Sequence, residues 1–175
     1  MDVALVSEKT IRIKGKTSTV IVDPTSSMSK SEASTIILTH PEDSTLSEAK
    51  VEGSRITIKG PGDYEVGGIK IVAVKVNSGF SYLIDVDDVK LLVGKGSEVM
   101  GIYEKIEAFH IAVINADKEF KYSQIPSLDV NVVLVYGEKK EDVVKSLGKN
   151  SQKMSKYSVT YDNLPSEMQL IILER

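Results

Sequence analysis

The chain has no cysteine and only two histidines among its 175 residues. Without cysteine there is no disulfide framework, and no thiolate to act as nucleophile or metal ligand. That fits a reducing compartment. Aromatic residues make up 6% of the chain, and no platform for stacking bases is evident. No apolar run approaches the roughly 20 residues that a membrane-spanning helix needs. The start, Met1-Asp2-Val3-Ala4, is neither basic nor followed by a long apolar stretch, so no secretory signal is expected. No glycine-rich phosphate loop opens a helix, and Gly94-Lys95-Gly96 is too short to count. Net charge is −3, which gives no general pull toward nucleic acid or anionic lipid. Lys139, Lys140, Lys145, Lys149, Lys153 and Lys156 gather in the last third. Spread over a helix and its flank, they read as a solvated face. A cytoplasmic protein is expected, with neither membrane nor nucleic acid as partner.

Hydrophobic residues make up 41% and charged residues 27%, an ordinary balance for a folded chain. The length suits a single domain over 1–175. Val3–Val6, Thr10–Lys14 and Ser18–Val22 read as strands, the last stopped by Asp23-Pro24. Thr25–Ala33, rich in Ser and Lys, reads as an exposed connector. Thr35–Thr39 is a β-branched strand, and Ser44 or Thr45 can cap a helical turn reaching Lys50. Ile56–Ile58, Tyr64–Val66, Ile69–Val76, Tyr82–Val86 and Val89–Val93 form a dense β region. Gly67-Gly68 and Asp87-Asp88 are its hairpin turns. Asp85, Asp87 and Asp88 lack the spacing of a calcium loop and read as a polar turn. Ser97–Ile106 has helical periodicity, and Phe109–Ile114 is a strand that contains His110 as a structural residue. Val130–Tyr136 is apolar enough to be buried on both faces. Glu141–Leu147 is an amphipathic helix ended by Gly148, and Tyr157–Thr160 and Gln169–Leu173 are closing strands. Strands and hairpins first, then alternating strand and helix, predict an α/β layered fold.

One stretch carries chemistry. Thr35-Ile36-Ile37-Leu38-Thr39 runs into His40-Pro41-Glu42-Asp43-Ser44-Thr45. A buried strand that delivers His and carboxylate to one point is a common way to build a metal site. The stretch resembles the Thr-His-x-His-x-Asp-His loop of the metallo-β-lactamase fold. Pro61-Gly62-Asp63-Tyr64-Glu65-Val66-Gly67-Gly68-Ile69 looks like a segment of its L-ascorbate-6-phosphate lactonase-like branch. The hairpin Tyr82–Val93 and the strands Phe109–Asn115 and Val130–Tyr136 follow in that family's order. The resemblance implies an αββα sandwich, possibly trimmed, with two mixed sheets and outer helices. Thr35–Thr39 and Val130–Val135 would then be interior strands of different sheets.

The same resemblance shows where the metal ligands are missing. His40 keeps the first histidine. Aligned without a gap, Glu42, Ser44 and Thr45 stand at the second His, the Asp and the last His. With one residue deleted, Asp43 and Ser44 take the last two places instead. Lys95 replaces the bridging aspartate and Tyr136 the late histidine. Catalytic zinc takes three protein ligands and an open position for water, and an ammonium beside a dication is repelled. The vestigial site is therefore His40, Glu42, Asp43, Ser44, Thr45, Lys95 and Tyr136, with no cofactor expected. Lys95 is expected to pair with Glu42 or Asp43 across the sandwich. The function implied is a non-catalytic binding or assembly module. A protein partner is possible, and a thinly covered apolar face would favour a homo-oligomer. The alternative is a hydrolase with one weakly held divalent metal at His40, Glu42 and Asp43, oxygen-rich and so suited to manganese or magnesium.

Overall fold

A computed structural model of the chain describes residues 1–106, 108–147 and 151–175. In chain order its strands are β1 (Asp2–Leu5), β2 (Ile11–Lys14), β3 (Thr19–Val22), β4 (Ser31–Glu32), β5 (Thr35–Ile37), β6 (Val51–Glu52), β7 (Ile56–Ile58) and β8 (Gly62–Val66). They continue as β9 (Ile69–Val76), β10 (Gly79–Val86), β11 (Val89–Lys95), β12 (Ile111–Asn115), β13 (Val132–Tyr136), β14 (Gln152–Met154), β15 (Lys156–Ser158) and β16 (Gln169–Leu173). Two α-helices, α1 (Gly96–Ile102) and α2 (Lys140–Leu147), follow β11 and β13.

Most strands belong to two mixed sheets. The first has the order β15-β1-β2-β3-β5-β7, the second β14-β16-β13-β12-β11-β10-β9-β8. β3, β5 and β7 run parallel, as do β11, β12, β13 and β16. β5 is thus interior to one sheet and β13 to the other, as the sequence predicts. Alternation decides which side chains meet between the sheets. Ile11, Ile13, Val20, Val22 and Ile37 from the first face Ile71, Tyr82, Ile84, Leu91, Val113 and Leu134 from the second. All five residues of β13 are buried, because the second sheet has a layer on each side. Its far face packs Leu92, Ala112, Ile114, Val133 and Val135 against Val99 and Met100 of α1 and Val143 of α2.

The hairpin turns behave as their sequences demand. Gly67 and Gly68 take φ of +58° and +81°, and Asp87 and Asp88 take +54° and +67°. Those left-handed values let a two-residue turn follow the strand twist. Asp87 also accepts from the Lys16 backbone N–H at 3.1 Å, which fits the reading of the acidic trio as a polar turn.

Several expectations need correction. Among the described residues the α-helices cover the second sheet alone. The first sheet is covered on its outer face by the Thr25–Ala33 segment, which is not a free connector. Its Thr25, Met28 and Ala33 are buried, and Met28 and Ala33 pack on Ile21. β4 within it pairs with β6. Among the described residues the expected thinly covered apolar face is therefore absent, and Val72 and Tyr161 are the large hydrophobic residues left exposed. The turn before Lys50 is one turn of 3-10 helix at Glu48–Lys50, with no side-chain cap from Ser44 or Thr45. The helical stretch after Lys95 stays α-helical to Ile102, then tightens to a 3-10 turn at Tyr103–Lys105. His110 lies just before β12 rather than inside it. Its Nδ1 accepts from the Lys90 N–H at 2.9 Å, and its ring meets Tyr161 edge-on. Burial, then the Lys90 charge, holds its pKa below the usual histidine value, so its role is structural. β14 has no clear signal in the sequence. Gly148, the expected stop of α2, and Lys149 lie outside the described residues. No described helix is long and apolar enough to cross a membrane.

Candidate functional site

Parallel strands end together, and their following loops share one rim. β3 and β5 end at Val22 and Ile37 and run on into Asp23 and Thr39, while β11, β12 and β13 end at Lys95, Asn115 and Tyr136. Between these ends lies a cavity of about 440 Å³, lined by Asp23, Thr39, His40, Asp43, Lys95 and Glu98, among others.

The wall that β5 supplies is held by hydrogen bonds. Asp23 Oδ1 accepts from the Thr39 N–H at 2.7 Å, and its Oδ2 from the Thr39 hydroxyl at 2.5 Å. The Thr39 carbonyl accepts from the Phe80 N–H at 2.7 Å, which joins β5 to the second sheet. One residue earlier, the Tyr82 hydroxyl donates to the Leu38 carbonyl at 2.7 Å. Gly79 makes the approach possible, because a Cβ there would lie 2.6 Å from His40 Nε2. Asp23 itself is buried, with φ of +48°. Burial pushes its pKa up to about 6, against the two hydrogen bonds from Thr39 that favour the charged form.

His40 is positioned from both ring nitrogens. Nδ1 lies 3.2 Å from Thr39 Oγ1, and Nε2 lies 3.0 Å from Glu98 Oε1. The Thr39 hydroxyl spends its hydrogen on Asp23, so Nδ1 is the donor to Thr39. Glu98 comes from the first turn of α1 and is 5% exposed. Its second oxygen is buried without a hydrogen-bond partner among the described residues. The His40–Glu98 contact joins the end of β5 to the helix layer of the second sheet.

The remaining predicted residues divide. Asp43 and Lys95 line the cavity, but the pairing differs from expectation. Asp43 Oδ1 accepts from the N–H and hydroxyl of Thr45 at 2.9 and 2.8 Å, and Oδ2 is 3.9 Å from Lys9 Nζ. The Thr45 N–H is the main cause that holds its pKa below the usual carboxylate value; Lys9 and Lys95 add to it through space. Lys95 makes no ion pair within 4.0 Å among the described residues, where Lys9 has taken its partner. Glu42, Ser44 and Thr45 are exposed and line no part of the cavity. Tyr136 is fully buried in the layer between the sheets, its hydroxyl without a partner among the described residues. Burial, then the Asp23 charge, raises its pKa. Gly137, at φ +96°, carries the chain past Asn115, against whose side chain a Cβ would collide.

Asp23 and Glu98 line the cavity, and the sequence reading does not single them out. Asp23 was legible only as a carboxylate at a strand end, next to a proline. Glu98 had a weaker signal, an acid in the first turn of a helix that starts at the old ligand place Lys95.

These donors do not fit the metal centre of the fold family. Both nitrogens of His40 are spent, so an ion could reach the ring only by displacing Glu98 or Thr39. Asp43 is tied to Thr45, and Lys9 and Lys95 bring positive charge to the same walls. Among the described residues no group of three or more His, Asp or Glu is arranged to hold an ion.

Neither a protein-family model nor a curated protein matches the sequence. Solved structures do match. A proposed zinc-dependent hydrolase of the metallo-β-lactamase superfamily from Thermotoga maritima has a TM-score of 0.80 at 14% identity, covering 99% of this chain and 98% of that one. A proposed metal-dependent hydrolase from Parabacteroides distasonis has a TM-score of 0.65 at 13% identity, over 98% and 93% of the two chains. An isothiocyanate hydrolase from Delia radicum gut bacteria has a TM-score of 0.59 at 8% identity, over 97% and 96%. With the two packed mixed sheets and the shared rim, these likenesses give this chain the metallo-β-lactamase fold, trimmed to helices on one described outer face.

Proposed function

We propose that this chain is a non-catalytic member of its fold class, acting as a binding or assembly module. The observation that carries the reading is the closed hydrogen-bond chain Asp23–Thr39–His40–Glu98. It uses internally the nitrogens that a catalytic ion would need. The hydroxyls of Thr39 and Ser97 are likewise committed, to Asp23 and to Asp117, so neither is a free nucleophile. His40 and Glu98 can hold a proton between them, but a proton-transfer pair without an electrophile or activated water performs no hydrolysis. What remains is a polar, mixed-charge cavity at the rim of a rigid sandwich.

A residual hydrolase is the second reading. The buried, unpartnered oxygen of Glu98 supports it, as does the hydrolase description of the structural neighbours. One experiment separates the two. Purified protein is assayed against ester, lactone and phosphodiester substrates with added manganese or zinc. The module reading expects no turnover above that of His40→Ala. Metal-dependent turnover lost in His40→Ala supports the hydrolase. Self-association is a further proposal. With no broad apolar face exposed among the described residues, it would need a polar interface, and sedimentation across the micromolar range tests it.

A further inference from the structure

A second cavity lies at the other end of the sandwich, where β3, β5 and β7 begin. It measures about 870 Å³ and is lined by the tips of two hairpins and the approaches to β5 and β7. Lys14, Lys16 and Arg55 line it, with the hydroxyl residues Thr17, Ser18, Thr19 and Ser34. None of the three cations makes an ion pair with a described residue. Of the two carboxylates on the wall, Glu52 is taken by Lys30 at 2.7 Å, which leaves Glu32. Three uncommitted cations therefore face one uncommitted carboxylate. Arg12 stands two residues before Lys14 on the same face of β2, and its Nε is buried without a hydrogen-bond partner among the described residues.

The cavity has a built frame. The Thr17 hydroxyl donates to the Gly67 carbonyl at 2.8 Å, which locks the β2–β3 tip to the β8–β9 tip. Ser18 and Ser34 are hydrogen-bonded through their hydroxyls, which joins that tip to the start of β5. The tips approach so closely that a Cβ on Gly67 would lie 2.6 Å from Ser18 Oγ, and one on Gly15 2.7 Å from Val86. The Lys16 N–H is anchored on Asp87. The backbone under the cations is thus fixed from both sheets, while their side chains stay exposed.

Guanidinium and ammonium groups held on a fixed backbone, with little opposing carboxylate, suit a compact multivalent anion. We propose that this cavity binds the phosphate group of a small phosphorylated molecule. Arg55 supplies the bidentate contact and Lys14 and Lys16 the charge, while the hydroxyls of Thr17, Ser18 and Ser34 spend their hydrogens within the frame and hold the backbone beneath the cations. The site is independent of the His40 cavity, so it stands whichever reading of that cavity holds.

The test is calorimetric titration at low ionic strength with pyrophosphate, AMP and ribose. Pyrophosphate and AMP should bind at one per chain, and ribose should not. Amide shifts on adding pyrophosphate to the wild-type protein should fall on Gly15–Ser18, Ser34 and Gly67–Gly68. The double variant Lys16→Glu/Arg55→Glu should weaken binding by at least about tenfold, the loss of one charge-assisted contact. It should keep the wild-type circular dichroism, since both residues are exposed. Unchanged affinity in that variant would overturn the proposal, as would no binding by the wild type. Lost affinity in Lys95→Met would place the anion in the His40 cavity and overturn it too. A short oligonucleotide binding far more tightly than AMP would assign the cations to nucleic acid instead.

Discussion

Asp23 gives the structure a pH signature whose sign and size can be worked out. Its carboxyl titrates near 6 in the folded chain against 3.8 for a free aspartate. A raised carboxyl pKa means that the folded state holds the proton to higher pH than the unfolded state. Below about pH 3.8 both states are protonated, and burial of Asp23 carries no charge penalty. Between 3.8 and about 6 the unfolded chain ionises first, so folding loses stability as pH rises. Above about 6 the loss is complete. The gap of about two pH units, at 1.36 kcal/mol each, comes to about 3 kcal/mol. Asp23→Asn removes the charge and keeps an acceptor for the Thr39 N–H. Carboxylates with lowered pKa, such as Asp43, act in the opposite sense, but they are common to both proteins and cancel in the difference. The assay is urea unfolding of wild type and Asp23→Asn from pH 3.5 to 7.5. Relative to wild type, the variant should gain about 3 kcal/mol between the two ends, with the change centred near pH 5. A difference that is flat across this range would refute the reasoning about Asp23's burial.

Other substitutions test the walls of the site. Gly79→Ala places a Cβ against Thr39 and His40 and should cost about 1–3 kcal/mol by chemical denaturation. Tyr82→Phe removes the donor to the Leu38 carbonyl and should cost about 1–2 kcal/mol in the same measurement. Tyr136→Phe deletes a buried hydroxyl that has no partner, so stability should be unchanged or slightly raised. Lys95→Ala should change stability by less than about 1 kcal/mol, because Asp43 is paired with Lys9 instead. A large loss would show that the expected Lys95–Asp43 bridge forms after all.

The fold was legible where local chemistry and tertiary structure agree. Thr35-Ile36-Ile37 is β-branched and apolar, and it is an interior strand. Gly67-Gly68 and Asp87-Asp88 tolerate positive φ, and they are hairpin turns. Val132–Tyr136 has no polar residue, and helices and a second sheet cover both its faces. The site was legible only in part, because its pairings span long stretches of sequence. His40 meets Glu98 from 58 positions away, and no local pattern announces that. Asp23 reads as the end of a strand until β3 and β5 are laid side by side, when its carboxylate falls beside Thr39. Lys95 stays out of the expected pair with Asp43 for the same reason: Lys9, on a distant turn, reaches Asp43. The Ser- and Lys-rich segment at Thr25–Ala33 looks solvated by composition, yet Met28 and Ala33 are the residues that cover Ile21.

The central claim is that His40 and Glu98 satisfy each other in place of a metal ion. Calorimetric titration of the purified, chelator-treated chain with zinc and with manganese tests it most directly, with His40→Ala titrated alongside. The account predicts no stoichiometric binding of either ion that depends on His40, and the same melting temperature with and without chelator. One equivalent bound tightly by the wild type and lost in His40→Ala would contradict it.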